Sequence, residues 1–267
     1  MTRPPFPRTP LPALLGLFLG LFGGAVLAVG ILDAGHGKAS APLPLPSEEV
    51  EEEGGKAPIR SDPLRILEEQ TVLAVVIQTT GIASRFAPDH LIHASSYDIT
   101  LHLDPHEPEE ARFSGRIPVA DLVVDEGGLR EELEGRLLEL GILDDPYDEI
   151  SEEDRERIRS SMLDEGQLDA AEHPLIEVEV VEIRPSREDA FPWTVIGALT
   201  ARGVRVEAPL RARMEEEEGG GVHIESWEAF QFSDLGLEPY SAFLGAVRNR
   251  DEFHLYMSLV AEPAGGG

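Results

Sequence analysis

Val204-Arg205-Val206-Glu207-Ala208-Pro209-Leu210-Arg211-Ala212-Arg213-Met214 is the stretch on which the fold turns. Every second residue is apolar, and most of those between are charged. That period of two places one face in a core and the other in water, as in a half-buried antiparallel strand. The same alternation runs through Tyr97, Ile99, Leu101 and Leu103, and again through Phe253, Leu255, Met257 and Leu259. Less regular strand patterns fall at 72–78, 112–124, 175–184, 193–199 and 222–232, which brings the count to about eight. In 175–184 the phase slips between Val180 and Val181, the signature of a bulge. Pro209 cannot donate to a ladder and fits an edge or bulge position.

One region breaks the pattern. Leu129, Leu133, Leu137 and Leu140 recur at helical spacing, and Ser151-Glu152-Glu153-Asp154 reads as a capping signal ahead of Ile158 and Met162. Two short helices are therefore expected within 127–165, joined through Asp144-Asp145-Pro146. An all-β chain of about eight amphipathic antiparallel strands with a helical insertion fits a closed barrel better than a sandwich, because closure removes the sheet edges. A barrel of that size is either filled by its own side chains or holds one small ligand. The strand pattern leaves both open.

The amino-terminal residues read differently. Residues 11–32 contain no charge, Arg3 and Arg8 precede them, and Asp33 comes directly after. As a helix they would span about 33 Å, enough for a hydrocarbon core of about 30 Å. Residues 1–10 are then a cytoplasmic n-region and 11–32 a transmembrane anchor, with the remainder of the chain translocated. A cleaved signal segment is the competing reading, although the apolar run is longer than such signals need. Residues 33–63 form an acidic Pro/Gly linker in which Pro42, Pro44 and Pro46 favour an extended chain and the Glu48–Glu53 cluster stretches it further. The folded domain is expected at 64–262, with a disordered tail at 263–267. The expected location is extracytoplasmic, on the periplasmic side, held at the inner membrane by 11–32 or otherwise secreted.

Composition excludes several classes. Acidic residues number 51 against 22 Lys and Arg, for a formal net charge of −29, and there is no Cys. Disulfide frameworks, thiolate metal sites and cysteine nucleophiles are ruled out. Nucleic acid is not an expected partner, since phosphate contacts need a basic excess. With 51 acids, carboxylate pairs arise everywhere by chance and identify no acid–base enzyme. The sequence has no HExxH, nucleophile elbow or glycine-rich phosphate loop. His90 and His93 would face opposite sides of a strand, which argues against a shared metal. No catalytic residue, metal ligand or cofactor is assigned.

Three ordered segments carry a resemblance. They are Leu168-Asp169-Ala170-Ala171-Glu172-His173-Pro174-Leu175-Ile176-Glu177-Val178, then Gly197-Ala198-Leu199-Thr200-Ala201-Arg202-Gly203-Val204-Arg205-Val206, then Phe230-Gln231-Phe232-Ser233-Asp234-Leu235-Gly236-Leu237, with Gly245 and Asp251 beyond. Together they resemble the YceI-like lipid/polyisoprenoid-binding family of secreted bacterial proteins, over about 64–261. Leu235 departs from the usual Phe, and the Arg often found before the Asp is absent. Taken unaided, Gly203 suits a turn needing positive φ, His173-Pro174 sets an extended approach to the next strand, and Asp234 with Gly236 reads as a turn in which the Asp side chain bonds nearby amides.

The resemblance implies an extended lipocalin-like antiparallel β-barrel with an apolar interior that binds a polyisoprenoid or similar lipid-like amphiphile without catalysis. The inward candidates are Leu101, Leu103, Val178, Val180, Val204, Val206, Leu210, Leu255 and Met257. They either line a ligand cavity or form the dry core of a filled, ligand-free interaction domain. The acid excess carries its own expectation: a strongly anionic surface suits high external salt, which screens self-repulsion. The unfolding temperature of the protein should therefore climb between low and molar salt; a value indifferent to salt overturns that reading.

Overall fold

The computed structural model describes residues 63–84, 87–144, 146–147, 149–217 and 219–264. The n-region, the anchor or signal at 11–32, nearly all of the linker and residues 265–267 lie outside the described residues. Among the described residues no helix is long and apolar enough to cross a membrane.

The strands are β1 (Pro63–Ile66), β2 (Val72–Thr80), β3 (His90–Ala94), β4 (Asp98–His102), β5 (Arg112–Pro118), β6 (Leu122–Val124), β7 (Leu175–Pro185), β8 (Trp193–Ala201), β9 (Val204–Glu216), β10 (Val222–Gln231), β11 (Ser241–Ala242) and β12 (Val247–Pro263). Helices α1 (Gly127–Glu139) and α2 (Glu152–Leu163) separate β6 from β7. Every pairing is antiparallel. β1 with β2, β3 with β4, and β5 with β6 act as three bent legs. β1 pairs β4 where β2 pairs β3, and β4 pairs β5 where β3 pairs β6. Eight legs result, each beside its neighbour in sequence. β12 closes the ring: one edge pairs with β10, and the other pairs first with β2 and then, at Ala261–Pro263, with β1.

Local sequence explains the joints. Arg202 and Gly203 both take positive φ, 49° and 75°, the two-residue turn whose twist matches the β8 and β9 strands it joins. The β7–β8 register shifts between Val180 and Glu182, so Val181 is the bulge that the phase slip announced, and it is half exposed. Pro209 pairs with Ile196, while β10 pairs with β9 only at 211–216; the proline thus sits on a stretch partnered on one side. The Ser151 hydroxyl caps α2 by accepting the Asp154 backbone N–H at 3.2 Å. One expectation is corrected. The carboxylate that holds the 233–236 turn is that of Asp251, which accepts the Ser233 N–H at 2.9 Å and the Ser233 hydroxyl at 2.6 Å.

The alternation in the sequence does not predict β3. Leu91 faces outward under α1 and Ile92 faces inward, so both sides of β3 are covered and alternation is lost. α1 covers the outer wall there: Leu133, Leu137, Ile142 and Leu143 pack on Ala74, Val76, Leu91 and Tyr256. Full burial of Leu137 or Ile142 contributes about 1.5–3 kcal/mol each. α2 instead lies across one end of the barrel, where Ile158, Met162 and Leu163 join the interior cluster around Ile117, Leu199 and Phe253.

An ion-pair network fastens α1 to the wall. Glu225 on β10 is almost fully buried. It accepts Arg136 Nε at 2.8 Å and the Tyr256 hydroxyl at 3.0 Å on one oxygen, and Arg136 Nη2 at 2.6 Å and Arg213 Nε at 2.7 Å on the other. Burial pushes the Glu225 carboxyl up, but the bonds from Arg136 and Tyr256 and the charges of both arginines outweigh it and hold it below the usual carboxylate range. A carboxyl depressed in the folded state stabilises above its unfolded value of about 4.3, and that stabilisation is lost as pH falls through the folded value. Glu225→Gln should therefore cost about 3 kcal/mol near pH 7. In urea titrations the gap between wild type and variant should close on acidification, and a gap independent of pH contradicts the assignment.

Candidate ligand-binding cavity

The inward faces of the eight legs do not meet. They leave a cavity of about 390 Å³ inside the barrel, within the span of small-molecule sites. Its wall is overwhelmingly aliphatic and aromatic. Leu73, Val75 and Ile77 come from β2, Val195 and Leu199 from β8, and Phe253, Leu255 and Met257 from β12. Period-two placement explains each set, since residues two apart share a face. At one end Phe253 stands between Phe230 and Phe232, with ring centroids 5.9 and 4.6 Å away, and α2 contributes Ile158 and Met162 beside them. At the other end the wall is made by Leu103, Phe113, Ile183, Trp193 and Met214.

Seven of the nine sequence candidates stand on this wall: Leu101, Leu103, Val178, Val180, Leu210, Leu255 and Met257. Val204 and Val206 do not. Val206 pairs with Leu199 and packs against the interior cluster without lining the cavity, and Val204 is 37% exposed beside the Arg202-Gly203 turn. The alternation of β9 chooses a face correctly, but it carries no information on how far along the strand the cavity extends. Several wall residues were not anticipated. Ile158 and Met162 carry a helical i, i+4 signal that pointed to burial without saying where. Gly197 is legible only in three dimensions: a Cβ there would lie 2.5 Å from Leu210 Cδ1, so glycine lets Leu210 lie across the adjacent strand on the inner wall.

Polar groups are few on the wall. Ser226, on β10, faces the bore between Ile224 and Phe230. His90 faces it from β3, beside Ile92 and Ala94, whereas His93 lies outside the barrel with Nε2 3.1 Å from Glu126. Burial pushes the His93 imidazole below its ordinary value, and the Glu126 charge offsets part of that. α2 adds Arg157 and Ser161 at its end, where Arg157 is paired with Glu153 and Asp154. Among the described residues no group of three or more His, Asp or Glu is placed to hold a metal ion. The arrangement can shed water from a hydrocarbon and offers few groups to anything polar.

The barrel is similar to that of Burkholderia cenocepacia BcnA. The TM-score is 0.51 at 12% identity, over 73% of this chain and 99% of that one, and the likeness establishes a common fold. The Campylobacter jejuni YceI protein matches at a TM-score of 0.46 and 12% identity, over 65% of this chain and 85% of that one. A polyisoprenoid binding domain from Saccharophagus degradans matches at 0.45 and 9%, over 75% and 97%. No family model matches the chain, and no curated protein matches its sequence.

The void makes a stability prediction. Gly197→Ala pushes the far end of Leu210, a flexible side chain with open space beside it. The cost should be about 1 kcal/mol in denaturant unfolding, at the low end for overpacking. A loss of about 3 kcal/mol or more would mean that the bore has no room to take the displaced methyl groups.

Proposed function

We propose that this protein is a YceI-like carrier that holds a polyisoprenoid or similar lipid-like amphiphile inside its barrel, without catalysis, outside the cytoplasm. The single observation that carries the reading is the continuous apolar cavity. An eight-legged barrel could have been filled by side chains, and this one is not. The three segments that resemble the YceI-like family support it. Leu168 and Ile176 from the first, Leu199 and Ala201 from the second, and Phe230, Phe232, Leu235 and Leu237 from the third all stand on the cavity wall.

The energetics suit a greasy chain. Burying about ten methylene groups contributes about 8 kcal/mol before the costs of association. That is enough for useful affinity only when the wall is apolar and preformed, as this one is. Residues 11–32 would hold the carrier at the inner membrane, with 33–63 as the tether; as a cleaved signal, 11–32 would instead release it to the periplasm.

Organic extraction of the purified protein followed by mass spectrometry should recover an apolar molecule, and the stripped protein should bind added geranylgeraniol. Ser226→Phe, which places a ring in the bore, should weaken that binding about tenfold by displacing the equivalent of about two methylene contacts. A stripped protein that ignores added isoprenoids would point instead to a ligand-free interaction domain.

A further inference from the structure

Among the few polar side chains on the wall, His90 is aimed by a buried carboxylate. His90 pairs with Ile77 across β2 and β3 and shares the inward face of Ile92 and Ala94. Its Nδ1 lies 2.8 Å from Asp125 Oδ2. Asp125 is 1% exposed and is held from several sides. Its Oδ1 accepts the Leu91 N–H at 2.8 Å, its own N–H donates to the Leu91 carbonyl at 2.7 Å, and Arg155 Nη1 donates to its carbonyl at 3.1 Å. Arg130 Nε stands 3.7 Å from Oδ1. Asp125 also takes a left-handed φ of 51°, which turns the chain between β6 and α1 and points the carboxylate back at β3.

A carboxylate only accepts, so in the neutral imidazole the proton sits on Nδ1 and Nε2 keeps its lone pair. Among the described residues Nε2 has no partner, and the ring stands on the cavity wall. An apolar guest that strips water from this nitrogen leaves a buried acceptor unpaired, and one bearing a hydroxyl does not.

Resting on the ligand-binding reading above, we propose that His90 Nε2 recognises the polar end of the guest, and that the guest carries a hydrogen-bond donor: an isoprenoid alcohol, not an ether. The hydroxyl then lies at the end of the barrel crossed by α2, and the hydrocarbon runs toward Trp193 and Met214. Asp125 is a positioning residue that selects the tautomer.

The test uses the full chain in phospholipid nanodiscs. Geranylgeraniol, its methyl ether and the matching hydrocarbon each compete against a polyene fluorophore excited by energy transfer from Trp193. The alcohol should bind about fivefold or more tighter than the ether and the hydrocarbon, which should be nearly equal. In His90→Phe the advantage of the alcohol should vanish while hydrocarbon affinity is kept; the comparison of the three probes on wild type stands even where that variant fails to fold. If all three probes bind wild type equally, this inference is overturned and the carrier reading survives. If the ether gains as much as the alcohol, Nε2 is a donor and the proposed chemistry is wrong. If none of the three competes, both readings fall.

Discussion

Strand β12 is seventeen residues long and has partners along both edges, β10 on one side and β2 followed by β1 on the other. The other features of the barrel depend on this double pairing. A meander of this length left open would expose two edges and half its apolar face. Joined through β12, it hides both edges and turns Phe253, Leu255 and Met257 toward the inward residues of the other legs. The length of β12 also sets the depth of the barrel, and with it the length of the bore.

Closure explains why the interior is hollow. Eight legs enclose a ring whose centre the available side chains do not reach, and several inward positions carry small residues: Ala94, Ala201, Ala212, Ser226 and Gly197. The chain uses its bulk at the ends, with the Phe230, Phe232 and Phe253 cluster and α2 at one and Trp193 and Met214 at the other. Rigidity comes from the outside as much as from the inside. α1 supplies a second apolar core on the outer wall, and Glu225, gripped by Arg136 and Arg213, ties that helix to the sheet with charge-assisted bonds.

Much of the barrel was legible one residue at a time. Alternation located most of the legs, the phase slip found the bulge at Val181, Ser151 marked the start of α2, and Arg202-Gly203 marked a tight turn. The features that escaped had a common cause. β3 is covered by α1 outside and the bore inside, so its pattern is apolar on both faces. Val204 and Val206 obey the same alternation as Leu210 but do not line the cavity. Asp234 looked like the turn's anchor, yet Asp251 on the neighbouring strand holds it across seventeen intervening positions.

Local periodicity and composition account for the faces of most strands, the eight legs, the helical insertion and the acidic surface. That the ring closes, that its centre stays empty and that His90 looks into it beside Asp125 follow from the assembled barrel. Those outcomes depend on how far apart opposite walls stand and on which distant residues meet. Such distances are properties of the assembled sheet and are encoded in no single stretch of the chain.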